Sequence, residues 1–322
     1  MSLIAVRHVR RPQGPPRAED FEFVTHPMPS PGEGQVLVEA VYLSVDPYMR
    51  QLMDLGGWEL GHGLEGRTVG RVIESRAPEL PTGTVVFHRN GWSTHAVLDA
   101  MDVRRIEPAE GVPLSAYIGI LGGTGLTAYV GLTRVAKLRA GESLYVSAAA
   151  GGVGSAVGQI ARLLGAGRVV GSTGSAAKVK HLIENLGFDA AFDYHTETLA
   201  EPIDVYFDNV GGDQLAQAIE RLRDRGRIAW CGAVGQYNSL DDPPAAPHNL
   251  FDVVGKSLRL EGFLVRDHLD ARVDFERFLT PKIQGGQIVV DETVVGGFDN
   301  IVNAFTAMLR GENTGKMVVH NH

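Results

Sequence analysis

An α/β fold of two domains, an antiparallel barrel-like β domain followed by a doubly wound parallel sheet, is what three features of this sequence predict. At 322 residues the chain is too long for one ordinary core and long enough for two. Up to about residue 115 it runs in short alternating segments cut by Pro and Gly, the pattern of antiparallel strands. From there to about residue 290, β-like runs alternate with amphipathic helices, the pattern of strand–crossover–strand units. The expected divisions are 1–118 for the β domain, 119–291 for the doubly wound domain and 292–322 for a tail that returns to the first.

In the first domain "GQVLVEAVYLSV", "TVGRVIES" and "TGTVVFHRNGWSTHAVLD" carry the alternation. In the second, strands are expected at 143–148, 168–172, 190–194, 203–210, 227–232 and 257–265. The helices "GSAVGQIARLLG", "SAAKVKHLIENLG" and "QLAQAIERLR" fall between them, each ending near a Gly or Arg. The tail reads as strand, helix, strand. A net charge of −8 gives no electrostatic reason to expect nucleic acid as partner. The lone cysteine, Cys231, excludes an intrachain disulfide framework and any thiolate cluster for zinc, and suits a reducing compartment. "MSLIAV" is too short for a signal-peptide apolar core and no run is long enough to cross a membrane, so a cytoplasmic protein is expected.

The segment "AAAGGVGSAVGQ" at 148–159 ends the first strand of the second domain and enters a helix. There a dinucleotide's pyrophosphate would meet exposed amides and the helix dipole, and Gly151, Gly152 and Gly154 would let the backbone come close. The usual G-x-G-x-x-G would need glycine at 157; the chain has Val157 followed by Gly158. Beyond the second strand, "GSTGSAAK" offers hydroxyls and Lys178 where an NAD site would offer a carboxylate for the ribose. A 2′-phosphate suits that place, so NADP(H) is expected.

The "AAAGGVG" turn, "VVGSTGS" with Lys178, "LGFDAAFDY", "FDNVGG", "CGAVGQYN", "EGFLV" and "GENTGKMVV" together resemble the zinc-independent medium-chain dehydrogenase/reductase proteins. "VYLSVDPYMR" at 41–50 resembles the signature of their leukotriene B4 dehydrogenase/prostaglandin reductase branch, which includes alkenal double-bond reductases and curcumin reductase. The resemblance implies a GroES-like β-barrel catalytic domain, a Rossmann domain with a six-stranded parallel sheet, a homodimer, and NADPH-dependent reduction of the C=C bond of α,β-unsaturated ketones and aldehydes. It further implies that Gly152, Val153 and Gly154 line the pyrophosphate, and that Lys178 meets the 2′-phosphate with Ser175 and Tyr194 beside it. Asn209 and the stretch from Cys231 and Gly232 to Tyr237 would edge the ribose and nicotinamide. Phe263, Leu264, Val265 and Asn313 would complete the surround.

Zinc is not expected. "GHGLEG" makes His62 and Glu65 possible remnants of ligands, but "YLSVDP" puts Ser44 where a ligand cysteine would stand. Hydride delivered to the β-carbon of an enone sends charge to the carbonyl oxygen, so a donor to that oxygen is required. Tyr48 and Tyr237 are candidates, as is the cofactor's own ribose hydroxyl, with Tyr48 facing the substrate cleft or filling the core. His268 is the third candidate side chain, for in "GFLVRDH" it stands where related reductases carry a tyrosine, and it reads equally as a surface residue. Two alternatives stay open: a quinone oxidoreductase on the same cofactor site, and an NADPH-binding protein without turnover. "SLRLEGFLV" would be the sheet's edge and pair with its twin in a second subunit. The loops at 52–63 and 237–249 would set substrate choice.

Overall fold

The strands of the first 119 residues are β1 (Ser2–His8), β2 (Phe21–Pro27), β3 (Gln35–Ser44), β4 (Thr68–Ser75), β5 (Val85–His88), β6 (His95–Asp99) and β7 (Arg104–Ile106), with the short helix α1 (Met49–Asp54). Next come α2 (Gly123–Val130), β8 (Ser143–Val146), α3 (Gly152–Leu163), β9 (Arg168–Thr173), α4 (Ala176–Glu184), β10 (Ala190–Asp193), β11 (Ile203–Asp208), α5 (Gly212–Arg221), β12 (Leu222–Trp230), α6 (Phe251–Gly255), β13 (Arg259–Gly262) and α7 (Arg272–Gln284). The chain closes with β14 (Glu292–Gly296), α8 (Ile301–Leu309) and β15 (Lys316–His320). These elements come from a computed structural model that describes residues 2–237 and 246–322. They form two units: one of residues 2–119, 292–313 and 317–322, the other of 120–291 and Thr314–Lys316.

The first unit holds a seven-stranded sheet, in the order β14-β15-β3-β4-β5-β7 with β6 also on β3, and a two-stranded sheet of β1 and β2. β3 runs antiparallel to β4, β6 and β15. Its alternation buries Val36, Val38 and Ala40. The strand bends where its register with β4 slips, between Leu37 and Val38 and between Ala40 and Tyr42. Against the sheet sits a core in which Trp92 meets Trp58 edge-on at 5.2 Å and Phe305 at 5.5 Å. Fully burying such a side chain is worth about 1.5–3 kcal/mol.

The second unit is a six-stranded sheet in the order β10-β9-β8-β11-β12-β13, with parallel pairs throughout. The order reverses between β8 and β11, and ligands of such sheets bind outside the strand ends at that switch point. One face packs Tyr145, Tyr206 and Ile228 against Leu215, Ala218 and Ile219 of α5. On α3, Gly158 has the Phe188 ring where a Cβ would stand, at 2.1 Å. A small residue is therefore required one position after 157, where α3 packs on the Phe188 ring in the connection before β10.

Four strands of this sheet differ from the expected spans by one or two residues at their C-terminal ends, and two depart further. β12 starts at Leu222 rather than 227, because Leu222 pairs with Ile203 before the register shifts and Arg225, with φ +63°, gives its amide to Lys256 O. β13 keeps only Arg259–Gly262 of 257–265: Ser257 is left-handed at φ +51° and a 3₁₀ segment begins at Val265. β13 is nevertheless a sheet edge, and all four of its residues are exposed.

Candidate functional site

At the switch point of the second unit, three strand ends are tied together through Asp208 and Asn209. Asp208 closes β11, and its Oδ1 accepts from Tyr206 Oη, Val210 N and Gly211 N, each at 2.8 Å, and from Ser147 Oγ at 3.3 Å. Its carbonyl accepts the amides of Cys231 and Gly232 at 3.0 and 3.3 Å, which docks the end of β12. Asn209 gives its amide to Ser147 Oγ at 2.9 Å and its Nδ2 to Ser147 O at 2.7 Å, which docks the end of β8. The Cys231 thiol then donates to Asn209 Oδ1 at 3.0 Å. Burial pushes both the Asp208 carboxyl and the Cys231 thiol upward in pKa, Asp208 adding to the second.

Beyond Ser147 the chain turns through Ala148, left-handed at φ +47°, into α3. Gly154 is required by this turn, since a Cβ there would lie 2.4 Å from Ala148 O and 2.6 Å from Ala149 Cα. Gly151 caps the helix, and a Cβ on it would meet only Ala148 O within 4 Å. The amides of Gly152, Val153 and Gly154 belong to the first helical turn, where no intrahelical acceptor exists. Gly152 abuts Lys316, and Gly315 gives its amide to Ala150 O at 2.8 Å. Past β9, Ser175 caps α4 by accepting from the Lys178 amide at 3.4 Å. Burial lowers the pKa of the half-buried Lys178 ammonium. Tyr194, 44% exposed, lies against Gly174, whose Cβ would touch its ring at 3.4 Å. Open amides, a serine, a lysine and an exposed ring, with no acid in residues 173–178, fit a dinucleotide that carries a 2′-phosphate.

The remaining second-unit candidates gather less tightly. Tyr237 Oη accepts the Ala233 amide at 3.5 Å, and burial raises its phenol's pKa. Phe263 gives its amide to Trp230 O and stands edge-on to Phe207 at 6.3 Å. Leu264 is exposed and Val265 opens the 3₁₀ segment. His268 interrupts that segment at φ −129° and is half-buried edge-on to Phe263 at 6.3 Å, so it is not a free surface residue. Of the loop at 237–249, residues 238–245 lie outside the described residues.

In the first unit Tyr48 sits just before α1, half-buried and among charges. Its hydroxyl donates to Glu65 at 3.3–3.4 Å, Glu65 pairs with Arg89, and the Arg67 guanidinium lies 5.2 Å from the ring centre. Arg67 pairs with Asp46 at 3.2 Å, and Asp46 accepts from Ser44 Oγ at 2.5 Å. Burial raises the Tyr48 phenol well above its usual range, with Arg67 working against it. Asn313 is buried in this unit. A zinc ion is not fitted by this donor set: His62 is exposed with Nδ1 3.1 Å from Leu60 O, Glu65 is engaged by Tyr48 and Arg89, and Ser44 bonds Asp46.

Sequence reasoning missed Ser147, Asp208, Lys316 and Arg67. Asp208 stood inside "FDNVGG" next to Asn209, and a carboxylate directly after the apolar run Val205-Tyr206-Phe207 was the signal that could have found it.

Residues 5–106 match the family described as the N-terminal domain of oxidoreductase, and residues 152–280 the family described as zinc-binding dehydrogenase. Prostaglandin reductase 1 of Rattus norvegicus is 41% identical over 320 residues, covering 95% of each chain. The NADP(+)-dependent 2-alkenal reductase of Nicotiana tabacum is 37% identical over 324 residues, covering 95% of this chain and 94% of its own. Among solved structures, CurA from Vibrio vulnificus in complex with NADPH superposes with a TM-score of 0.91 at 32% identity, over 99% of both chains.

Proposed function

This chain belongs to the prostaglandin reductase, curcumin reductase and 2-alkenal reductase branch of the medium-chain dehydrogenase/reductase superfamily, and from that premise we propose that it is an NADP(H)-dependent oxidoreductase that saturates the C=C bond of α,β-unsaturated ketones and aldehydes. The observation that carries the cofactor choice is the end of β9, where Ser175 and Lys178 stand and no carboxylate does.

When bound, the cofactor supplies the hydride. In our reading the amides of Gly152, Val153 and Gly154 hold the pyrophosphate, and Lys178 with Ser175 holds the 2′-phosphate beside Tyr194. Gly151, Asn209, Cys231, Gly232, Tyr237, Phe263, Leu264, Val265 and Asn313 complete the nucleotide's surround. As the substrate's β-carbon gains hydride, its π electrons move to the carbonyl oxygen, and a hydroxyl aimed there stabilises the charge until the α-carbon takes a proton. Tyr48 is the first choice for that donor. Its raised pKa keeps the phenol protonated across the neutral range, and the hydroxyl would turn from Glu65 to the substrate oxygen to donate there. Tyr237 and His268 are the other two.

The same reading has the enzyme working without metal, in the cytoplasm, as a homodimer joined along the exposed edge of β13. Among the described residues no helix is long and apolar enough to cross a membrane. A monomer by light scattering would remove the dimer and leave the chemistry standing.

The test is steady-state oxidation of NADPH and of NADH with a straight-chain enone, run beside Lys178→Ala. Losing one charged hydrogen bond to phosphate should raise KM for NADPH roughly 10–100-fold and leave KM for NADH unchanged. No turnover with a panel of enones and enals would overturn the reading. A hydroquinone product from quinones, with no saturated ketone from enones, would replace it with quinone reduction.

A further inference from the structure

The buried carboxyl at the switch point does more than tie strand ends. Asp208 is fully buried, and of its two oxygens only Oδ1 is used: four donors converge on it, while Oδ2 has no hydrogen-bond partner among the described residues. A structural anchor would be served as well by an amide, whose oxygen accepts the same bonds without the cost of burying a charge. Among the described residues no lysine or arginine pairs with it to cancel the charge of its ionised form. Burial raises its pKa, and the two backbone amides, the Tyr206 hydroxyl and Ser147 pull the other way by favouring the ionised form. The Asp208 charge is felt at Cys231, the next strand end along.

We propose that Asp208 is an electrostatic positioning residue, whose buried carboxylate favours the cationic, oxidised nicotinamide over the neutral, reduced one at the ends of β11 and β12. This rests on the reading above that Asn209 and Cys231 edge the nicotinamide. The two cofactor forms share every phosphate and ribose contact, so those contacts cancel in a ratio of their affinities. What remains is the ring's charge, and an uncancelled carboxylate in a low-dielectric wall acts on that term alone.

The experiment compares dissociation constants of NADP+ and NADPH, by NADPH fluorescence and by its displacement, for wild type, Asp208→Asn and Tyr206→Phe. Asparagine keeps the acceptor and removes the charge; phenylalanine removes a bond to Oδ1 and keeps the charge. The NADP+/NADPH ratio of dissociation constants should rise about tenfold in Asp208→Asn, the size of a single charge–charge interaction of about 1.4 kcal/mol in a medium of effective dielectric near 20. It should move by much less than that in Tyr206→Phe, where three donors to Oδ1 remain. A ratio unmoved by Asp208→Asn, or moved equally by both, overturns the inference and makes Asp208 a structural anchor. Wild type alone is a second check: it should bind NADP+ at least as tightly as NADPH, and a preference of tenfold or more for NADPH overturns the inference even if Asp208→Asn does not fold. If wild type binds neither nucleotide, it is the proposed function that falls, and the inference with it.

Discussion

The crevice of the second unit and the cluster around Tyr48 in the first are built from different materials. At the ends of β8, β11 and β12 the contacts are backbone amides and carbonyls, with uncharged side chains gathered on one buried carboxyl. Around Tyr48 the contacts are long charged side chains: Glu65 on Arg89, Asp46 on Arg67, the phenol between them. The first arrangement permits little substitution, because a backbone wall moves only with its strand. The second can be altered one side chain at a time. On the function proposed above, the rigid part would hold the constant cofactor and the adjustable part would face the variable substrate.

The largest effect should come from placing an atom inside the backbone-built wall. Gly154→Ala puts a Cβ against Ala148 O and Ala149 Cα, neither of which can swing aside, and is expected to cost about 3 kcal/mol or more by urea unfolding. A cost below about 1 kcal/mol would show that the turn yields, and the contrast would be lost.

The next effect tests whether the charge-rich unit keeps charge out of its own interior. His88, buried on β5, has neither ring nitrogen hydrogen-bonded among the described residues, and burial lowers its pKa to about 4 from 6.5. Between those values the unfolded chain binds a proton that the folded one refuses. This group's effect is therefore absent above pH 6.5, and it withdraws about 3 kcal/mol of stability as the pH falls to 4. His88→Leu should lose that much less than wild type between pH 7 and pH 4 in paired urea titrations; parallel curves would mean that His88 accepts its proton in the fold.

The smallest effect belongs to the adjustable side. Glu65→Gln breaks an ion pair whose arginine side chain is 56% exposed and whose glutamate is 31% exposed, and should change stability by only about 0.5 kcal/mol. A loss of several kcal/mol would place the Tyr48 cluster with the rigid wall instead.

This division also explains what the sequence disclosed. The period of apolar residues and the positions of glycine specify backbone, so the six-strand parallel sheet and the turn into α3 were both legible. Val157 and Gly158 looked like a flawed motif because the motif is counted from a fixed register, whereas helix packing asks only that some small residue face Phe188. The partners of Tyr48 were not legible. Glu65, Arg67 and Arg89 reach it from separate segments, and no local pattern records which charged side chains converge. Tyr145 and Tyr206 fall inside the strands expected at 143–148 and 203–210, and nothing in those spans marks them as polar partners. Their rings are stacked 4.9 Å apart there, yet their hydroxyls serve a buried polar network through Ser172, Gln214 and Asp208.

The protein's one sulfhydryl belongs to Cys231, half-buried, its S–H given to Asn209 and its ionisation opposed by burial and by Asp208. Conjugate addition to an electron-poor alkene requires a thiolate, and a thiol held protonated is a poor nucleophile. A chain that handles such alkenes thus carries its most alkylatable atom in its least reactive state, which limits self-inactivation by the compounds it is read to consume.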